Sequence, residues 1–254
     1  MKSCLIGYSG FVGSNLRKQN RFSDEYNSSN IDNIAKNSYD LAVCAGISAK
    51  KWIANKNPDE DIKNIKSLAD ALRDIDIKHF VLISTIDVYP KPIEVDEDTD
   101  PSLESNHAYG ENRLWFEAFV KDSFRNYTII RLPGLFGEGL KKNIIYDLMN
   151  DNCLDMINPK SSFQYYPLKN LWNDIEKVIS QEIRLINFAT EPINTQSIID
   201  KFFEEKSVGS NKSQQANYDF KTKYSTLWKG PSGYLYDRDF VLDALKNYLE
   251  GALK

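Results

Sequence analysis

Tyr109 and Arg113, in the run Ala108-Tyr109-Gly110-Glu111-Asn112-Arg113, are the two side chains best placed for proton chemistry in this chain. Residues four apart share one face of a helix. A cation beside a phenol favours the phenolate and lowers its pKa, so such a pair can move a proton near neutral pH. The same spacing suits a part-buried Tyr held by a hydrogen bond beside an ordinary surface cation, and spacing alone leaves both readings open.

A second chemical feature opens the chain. In Ser3-Cys4-Leu5-Ile6-Gly7-Tyr8-Ser9-Gly10-Phe11-Val12-Gly13 an apolar run stops at a glycine, and two more glycines follow at intervals of three. This predicts a strand, a tight turn and a helix from Phe11 to about Gln19. The first N–H groups of a helix lack partners within it and can cradle a pyrophosphate. Ser84 and Thr85 close a third apolar run, and Asp87 follows two residues later. A loop carboxylate such as Asp87 is a candidate base and equally a solvated surface acid.

These residues need a scaffold that brings strand ends together. Asp40–Gly46, His79–Ile83, Tyr127–Leu132 and Arg184–Ala189 read as buried strands. Helical spacing covers Pro58–Arg73, Ala108–Phe124, Asn143–Asn150, Leu171–Ser180, Thr195–Glu205 and Asp237–Leu253. Phe22–Asn27 is a weaker strand suited to a sheet edge, Ile31–Lys36 a short helical turn, and Ser161–Tyr166 extended. Strands alternating with helices predict an α/β fold with a doubly wound parallel sheet. In such sheets ligands bind beyond the carboxyl ends of the strands. Gly7, Gly10, Gly13, Ala45, Gly46, Ser84, Thr85, Pro133 and Gly134 all fall at such ends.

Texture changes after Gly137. The expected organisation is a nucleotide-binding part over residues 1–137, and a mixed segment over 138–254 that completes the sheet and forms a small lobe. Ser207–Tyr218 is polar and reads as a mobile loop. Aromatic residues cluster at Phe163, Tyr165 and Tyr166 and at Trp228, Tyr234 and Tyr236, suiting either a stacked ligand or the lobe's own core.

The 254 residues carry 32 basic and 36 acidic side chains, net −4, which gives no argument for nucleic acid or an anionic membrane. Cys4, Cys44 and Cys153 lack metal spacing, and with His79 and His107 as the two histidines no metal site is expected. Buried thiols and the lack of any long apolar run or leader point to a cytoplasmic protein.

The motifs, in order along nearly the whole chain, resemble the extended short-chain dehydrogenase/reductase family, the NAD(P)-dependent nucleotide-sugar epimerases, dehydratases and reductases. Gly7-x-x-Gly10-x-x-Gly13 is similar to its glycine signature, and Thr85-Ile86-Asp87-Val88-Tyr89 to its hydroxyl residue three positions before Val-Tyr. Tyr109-x-x-x-Arg113 resembles its Tyr-x-x-x-Lys element. Arg131-Leu132-Pro133-Gly134-Leu135-Phe136-Gly137 resembles the strand and loop beside the nicotinamide, and Asn187-Phe188-Ala189-Thr190 a later strand.

The resemblance implies a Rossmann-type fold with a small C-terminal substrate lobe. It implies Tyr109 as acid/base and Thr85 as the residue orienting the same oxygen, with Arg113 beside them. Gly7, Gly10, Phe11, Val12 and Gly13 would hold the dinucleotide pyrophosphate, Ala45, Gly46 and Ser84 would line its wall, and Pro133 would face the carboxamide. Lys141 and Lys142 would meet a sugar-nucleotide diphosphate, with Asp87 on the substrate side.

Three departures shape the expectation. Arg113 stands where the family has Lys, and the two cations are not interchangeable. Ile86-Asp87 replaces the Asp-Glu pair of the dehydratases, which disfavours water elimination. The segment before Asp40 is short, as if a strand–helix unit were trimmed from one edge. The second strand ends at Asn27-Ser28-Ser29 without a carboxylate, Asn27 becoming the cofactor-side candidate there. With Arg17 one turn beyond Gly13, cofactor choice leans to NADP. The expected activity is hydride transfer on a sugar or nucleotide-sugar, as epimerase or reductase, in a possible homodimer built on the two long helices. The alternative is a non-catalytic NAD(P)-binding module used for sensing or assembly.

Overall fold

The computed structural model describes residues 1–73, 75–209 and 213–252. Its helices in chain order are α1 (Phe11–Gln19), α2 (Lys51–Lys56), α3 (Pro58–Ala71), α4 (Ala108–Ser123), α5 (Ile144–Met149), α6 (Leu171–Ser180), α7 (Thr195–Phe202), α8 (Ser225–Trp228) and α9 (Arg238–Ala252). Its strands are β1 (Ser3–Ile6), β2 (Asp24–Tyr26), β3 (Ser38–Cys44), β4 (Asp76–Thr85), β5 (Tyr127–Leu132), β6 (Gly134–Phe136), β7 (Ser162–Phe163), β8 (Tyr165–Pro167), β9 (Leu185–Asn187) and β10 (Ile193–Asn194).

Among the described residues six strands form the main sheet, in the order β2-β1-β3-β4-β5-β9. Continuous apolar runs build its centre, because strands covered on both faces have no polar side to alternate with. All four residues of β1 are buried, as are the last four of β3. β1 pairs in parallel with β2 and β3, and β3 in parallel with β4. The chain leaves β1 toward one edge and returns to its other side as β3. The topological switch point therefore lies between the ends of these two strands, where open α/β sheets bind ligands.

β2 is the edge strand, and a single 3-10 turn over Ile31–Lys36 carries the chain from it to β3. Among the described residues no further strand–helix unit stands at this edge. Helix α1 packs with α6, and α3 and α2 pack with α4. Phe80, Phe116, Phe119, Phe124 and Ile129 fill the core beside α4, with Phe80 stacked on Phe124 at 4.2 Å between ring centres.

Two compact units emerge. The first comprises residues 1–90, 99–131 and 169–186, and the second 91–98, 132–168 and 187–254. The division thus falls after Arg131, where Gly137 was expected. Residues 169–186 return to the first unit as α6 and the start of β9, while 91–98 join the second.

Within the second unit, β6 pairs in parallel with β8 and β7 antiparallel with β10. Tyr165, Tyr166 and Tyr234 are buried there, and Tyr166 lies against Phe188 at 5.1 Å. The three tyrosine rings belong to the core of this unit, while Phe163, Trp228 and Tyr236 are half-buried. Glu97, also buried, accepts from the Asn187 N–H (2.7 Å), the Thr222 hydroxyl (2.6 Å) and the Lys223 N–H (3.0 Å), joining three stretches of chain. Of the loop expected over 207–218, residues 210–212 lie outside the described residues. Its end is not loose, since Ser162 donates to the Ala216 carbonyl (2.9 Å) and Tyr218 to the Ser162 carbonyl (3.0 Å). Leu253, expected to close the last helix, also lies outside the described residues.

Candidate functional site

The site grows from the glycine turn. Gly10 sits at the N-cap of α1 in extended backbone and supplies no capping side chain. The first-turn N–H groups, those of Phe11, Val12 and Gly13, consequently have no acceptor within the helix. Gly7 (φ +86°) donates to the Tyr26 carbonyl at 2.7 Å, and a Cβ added to it would stand 2.5 Å from the Ala45 carbonyl oxygen. The structure thus brings Gly7, Gly10, Phe11, Val12, Gly13, Ala45 and Gly46 together at the switch point. A bare helix start lined by backbone fits a pyrophosphate.

Gly13 permits the close approach of α1 to the turn, because a Cβ there would stand 2.0 Å from the Gly7 oxygen. Gly13→Ala is therefore expected to destabilise the protein by about 1–3 kcal/mol and to open the cradle. Chemical denaturation checks it; a variant as stable as the parent would show that α1 sits elsewhere.

Three contacts fix Tyr109 at the start of α4. His107 caps the helix, its Nδ1 accepting the Gly110 N–H at 3.0 Å. Asn55 accepts the Tyr109 N–H at 2.9 Å. Gly110 lets the helix meet the turn after β4, since a Cβ there would stand 2.3 Å from the Asp87 carbonyl oxygen. The Asn106 amide clamps the same turn, donating to the carbonyls of Asp87 and Val88, both at 2.9 Å.

Tyr109 and Thr85 are brought together and are hydrogen-bonded. The Tyr109 phenol is pushed up to about 12, first by burial; Arg113 and the Thr85 hydrogen bond oppose the rise, while Asp87 and Asp61 add to it. Arg113 acts with the sign its spacing predicts, yet desolvation outweighs it, so the phenol is protonated at neutral pH. Sequence spacing measures charge separation along a helix and carries no information on burial.

Arg113 corrects the picture of an ordinary surface cation, being 2 % exposed. It forms a two-pronged ion pair with Asp61 of α3, donates to the Ser48 carbonyl (2.6 Å) and the Tyr109 carbonyl (3.2 Å), and lies 3.8 Å from the centre of the Tyr109 ring. Asp61 was missed by sequence reasoning, since no local signal links residues on two different helices.

Other candidates have different company. Ser84 is buried and gives its hydroxyl proton to Glu117 at 2.6 Å. Asp87 is paired with Lys51 at 2.8 Å. Asn27 accepts from the N–H (2.9 Å) and hydroxyl (2.7 Å) of Ser29, holding the turn beyond β2. β2 ends at Tyr26, and its Glu25 pairs with Arg17 at 2.8 Å, so a carboxylate does stand close to this end.

Pro133, Lys141 and Lys142 belong to the second unit. Pro133 directly precedes β6, and both lysines are exposed ahead of α5. The Asn143 side chain accepts from the N–H groups of Ile145 (3.0 Å) and Tyr146 (3.2 Å), so this helix start is already capped. Any anion there would meet the lysine side chains, not backbone.

Glu117 was also missed, although it lies on the Tyr109 and Arg113 stripe at the next interval of four. It accepts from Arg131 Nε (3.0 Å) and Nη2 (2.6 Å) and from Ser84, while Arg131 Nη1 donates to the Tyr89 hydroxyl at 2.6 Å. A separate cleft of about 430 Å³, bordered by Val88, Leu103, Asn106, Glu111 and Trp115, does not include Tyr109 or Arg113. No group of three or more His, Cys, Asp or Glu able to hold a metal occurs among the described residues. Among them, too, no helix is long and apolar enough to cross a membrane.

The model of the NAD dependent epimerase/dehydratase family matches residues 4–156, more than half of the chain. A search of the curated proteins finds no match. Among solved structures, a dTDP-4-dehydrorhamnose reductase from Clostridium acetobutylicum is 17% identical, with a TM-score of 0.69 and 100% of both chains covered. The same reductase from Bacillus anthracis, in complex with NADP, is 16% identical, with a TM-score of 0.76 and 99% of both chains covered. UDP-glucose 4-epimerase from Thermotoga maritima, with UDP-glucose, is 13% identical, with a TM-score of 0.75 and 100% of both chains covered. At these identities the likeness is one of fold.

Proposed function

The chain belongs to the NAD dependent epimerase/dehydratase family, and from that premise we propose that it is an NAD(P)-dependent epimerase or reductase of a nucleotide-linked sugar, with Tyr109 as acid/base. The observation that carries this reading is the convergence within one unit of a bare glycine-lined helix start, Thr85 and Tyr109. The cofactor, when bound, supplies the hydride. Phe11, Val12 and Gly13 would hold its pyrophosphate through backbone N–H groups, with Ala45 and Gly46 as the inner wall. Thr85 shares its hydrogen bond with the phenol and would fix the substrate oxygen beside it.

A phenol that is protonated at neutral pH is set to give its proton to a developing alkoxide, which is the reductive direction. Ile86 at the first position after Thr85 speaks against water elimination. Structures of similar fold act on dTDP-4-dehydrorhamnose and bind UDP-glucose, which makes nucleotide-sugars the substrates to try first. Lys141 and Lys142 are proposed for the diphosphate and Pro133 for the carboxamide. Cofactor choice rests on Arg17, which favours a 2′-phosphate, against Glu25, which neutralises it. The thiols of Cys4 and Cys44 are buried, and burial pushes both pKa values up, fitting a reducing, cytoplasmic setting.

Fluorescence titration with NADH and NADPH, followed by turnover against UDP- and dTDP-linked hexoses and 4-keto-hexoses, tests the reading. Binding of a dinucleotide with hydride transfer to or from one of these sugars is the expected result. Binding with no turnover on any of them would favour the non-catalytic module, which Arg113 in place of Lys first suggested. Light scattering on the same sample tests the proposed homodimer through α3 and α4, whose exposed Trp115 stacks on Phe119 at 6.3 Å.

A further inference from the structure

A guanidinium has five N–H donors and no acceptor. Those of Arg113 can be counted in the structure. Nη1 donates to Asp61 and to the Tyr109 carbonyl, and Nη2 donates to Asp61 and to the Ser48 carbonyl. Both terminal nitrogens are thereby committed to the protein. Nε is different: it is buried and has no hydrogen-bond partner among the described residues. An unsatisfied buried donor costs about 1–3 kcal/mol, more when it carries charge, so a fold that keeps one usually has a use for it.

The surroundings say what that use is. The guanidinium lies against the Tyr109 ring, and Ser48 follows two residues after Gly46 on the cradle wall. The Arg113 side chain therefore sits, within unit one, between the Tyr109 phenol ring and the chain that runs on from the glycine cradle. Asp61, side chain 9 % exposed, is the one carboxylate that grips both ends of the fork. A lysine here would be a single ammonium on a flexible stem, free to swing between partners. The arginine cannot swing while Asp61 holds it.

Resting on the proposed dinucleotide site, we propose that Asp61 is a positioning residue: by taking both terminal nitrogens of Arg113 it holds the guanidinium against the Tyr109 ring and leaves Nε–H as the single donor for a hydroxyl or phosphoryl oxygen of the bound ligand. The Arg113 site then makes one directed hydrogen bond and does not clasp a diol with two. Asp61 also balances the Arg113 charge beside the phenol. The charged groups that act on Tyr109 are then Arg113, Asp61 and Asp87, the last already tied to Lys51.

The test reads the guanidinium directly. In a 1H–15N spectrum of the full chain, the Arg113 Nε–H resonance, identified by its loss in Arg113→Lys, is expected to exchange slowly in the free protein. It is expected to shift on titration with NADH or NADPH, or with UDP-glucose. Asp61→Asn, which keeps the shape and removes the charge, is expected to broaden this resonance and weaken dinucleotide binding about tenfold, as befits a lost charge-assisted hydrogen bond. Asp61→Glu should recover part of that affinity. If a dinucleotide binds by fluorescence, and neither it nor UDP-glucose moves the Arg113 resonance, the positioning role is wrong while the cofactor site stands. An Asp61→Asn protein that binds as the parent does overturns the role equally. If no dinucleotide binds at all, the site reading itself falls. The wild-type titration decides the matter even where a variant fails to fold.

Discussion

Replacing Glu117 with Ala is expected to destabilise the protein by about 3–5 kcal/mol, the usual cost of removing one partner from a buried ion pair. Glu117 is 0 % exposed and Arg131 1 % exposed. The guanidinium would keep only the Tyr89 hydroxyl of its two partners, and the Ser84 hydroxyl would lose its acceptor. Against a typical total of about 5–15 kcal/mol, such a loss takes a large share of the stability. A fall in melting temperature on the order of 10 °C should accompany it. Glu117→Gln keeps an acceptor for Arg131 and should fall between the two. The double variant Glu117→Leu with Arg131→Met removes both charges and should recover much of the loss, because it leaves no ion unpaired. Urea denaturation measures all three. A Glu117→Ala protein within about 1 kcal/mol of the parent would mean that water or another group reaches Arg131. The network also has a functional side: it anchors the middle of α4 to β4 and β5, and α4 carries both Tyr109 and Arg113.

Tyr109→Phe is expected to lower turnover about 10²–10⁴-fold, the range general acid/base groups contribute. Dinucleotide affinity should stay nearly constant, since the ring still fills its place against Arg113 and only the hydroxyl is lost. The pH profile carries a second expectation. Burial holds the phenol's pKa above its ordinary value, at about 12. A proton-donating step needs the protonated form, so the reductive rate should be level through neutral pH and decline only as pH rises toward that pKa. The reverse, oxidative direction should gain with rising pH over the same range. Steady-state turnover in both directions checks this. A Phe variant that turns over within threefold of the parent would remove Tyr109 from the chemistry.

The raised phenol marks the division between what sequence and structure each contribute. Tyr109 and Arg113 announce a shared helix face by spacing, because 3.6 residues per turn is a local property. Whether that face is wet or dry depends on what packs over it, and here Asp61, Ser48 and Asn55 come from chain some 50–65 residues away. Arg113 consequently reads as a cation free to act on the phenol, when the fold has it bound into an ion pair. The Glu117 partner of Ser84 was hidden for a similar reason, lying 33 residues away on another element. Neighbouring residues of a strand point to opposite faces, so Ser84 and Thr85 have different partners.

By itself the sequence determined the strand–glycine–helix cradle, the boundaries of α1, β5 and α6, the parallel α/β order and the trimmed edge. These follow from hydrophobic period, helix start signals and connection length, all carried by residues close in the chain. Only the tertiary structure decided that Arg113 is held by Asp61, that Glu117 and Arg131 form a buried pair, and that residues 91–98 and 169–186 exchange units. Those outcomes depend on side chains brought together from distant elements and on the loss of water around them. Desolvation sets the strength of an electrostatic effect and can reverse the net pKa shift, and no local pattern of residues encodes it.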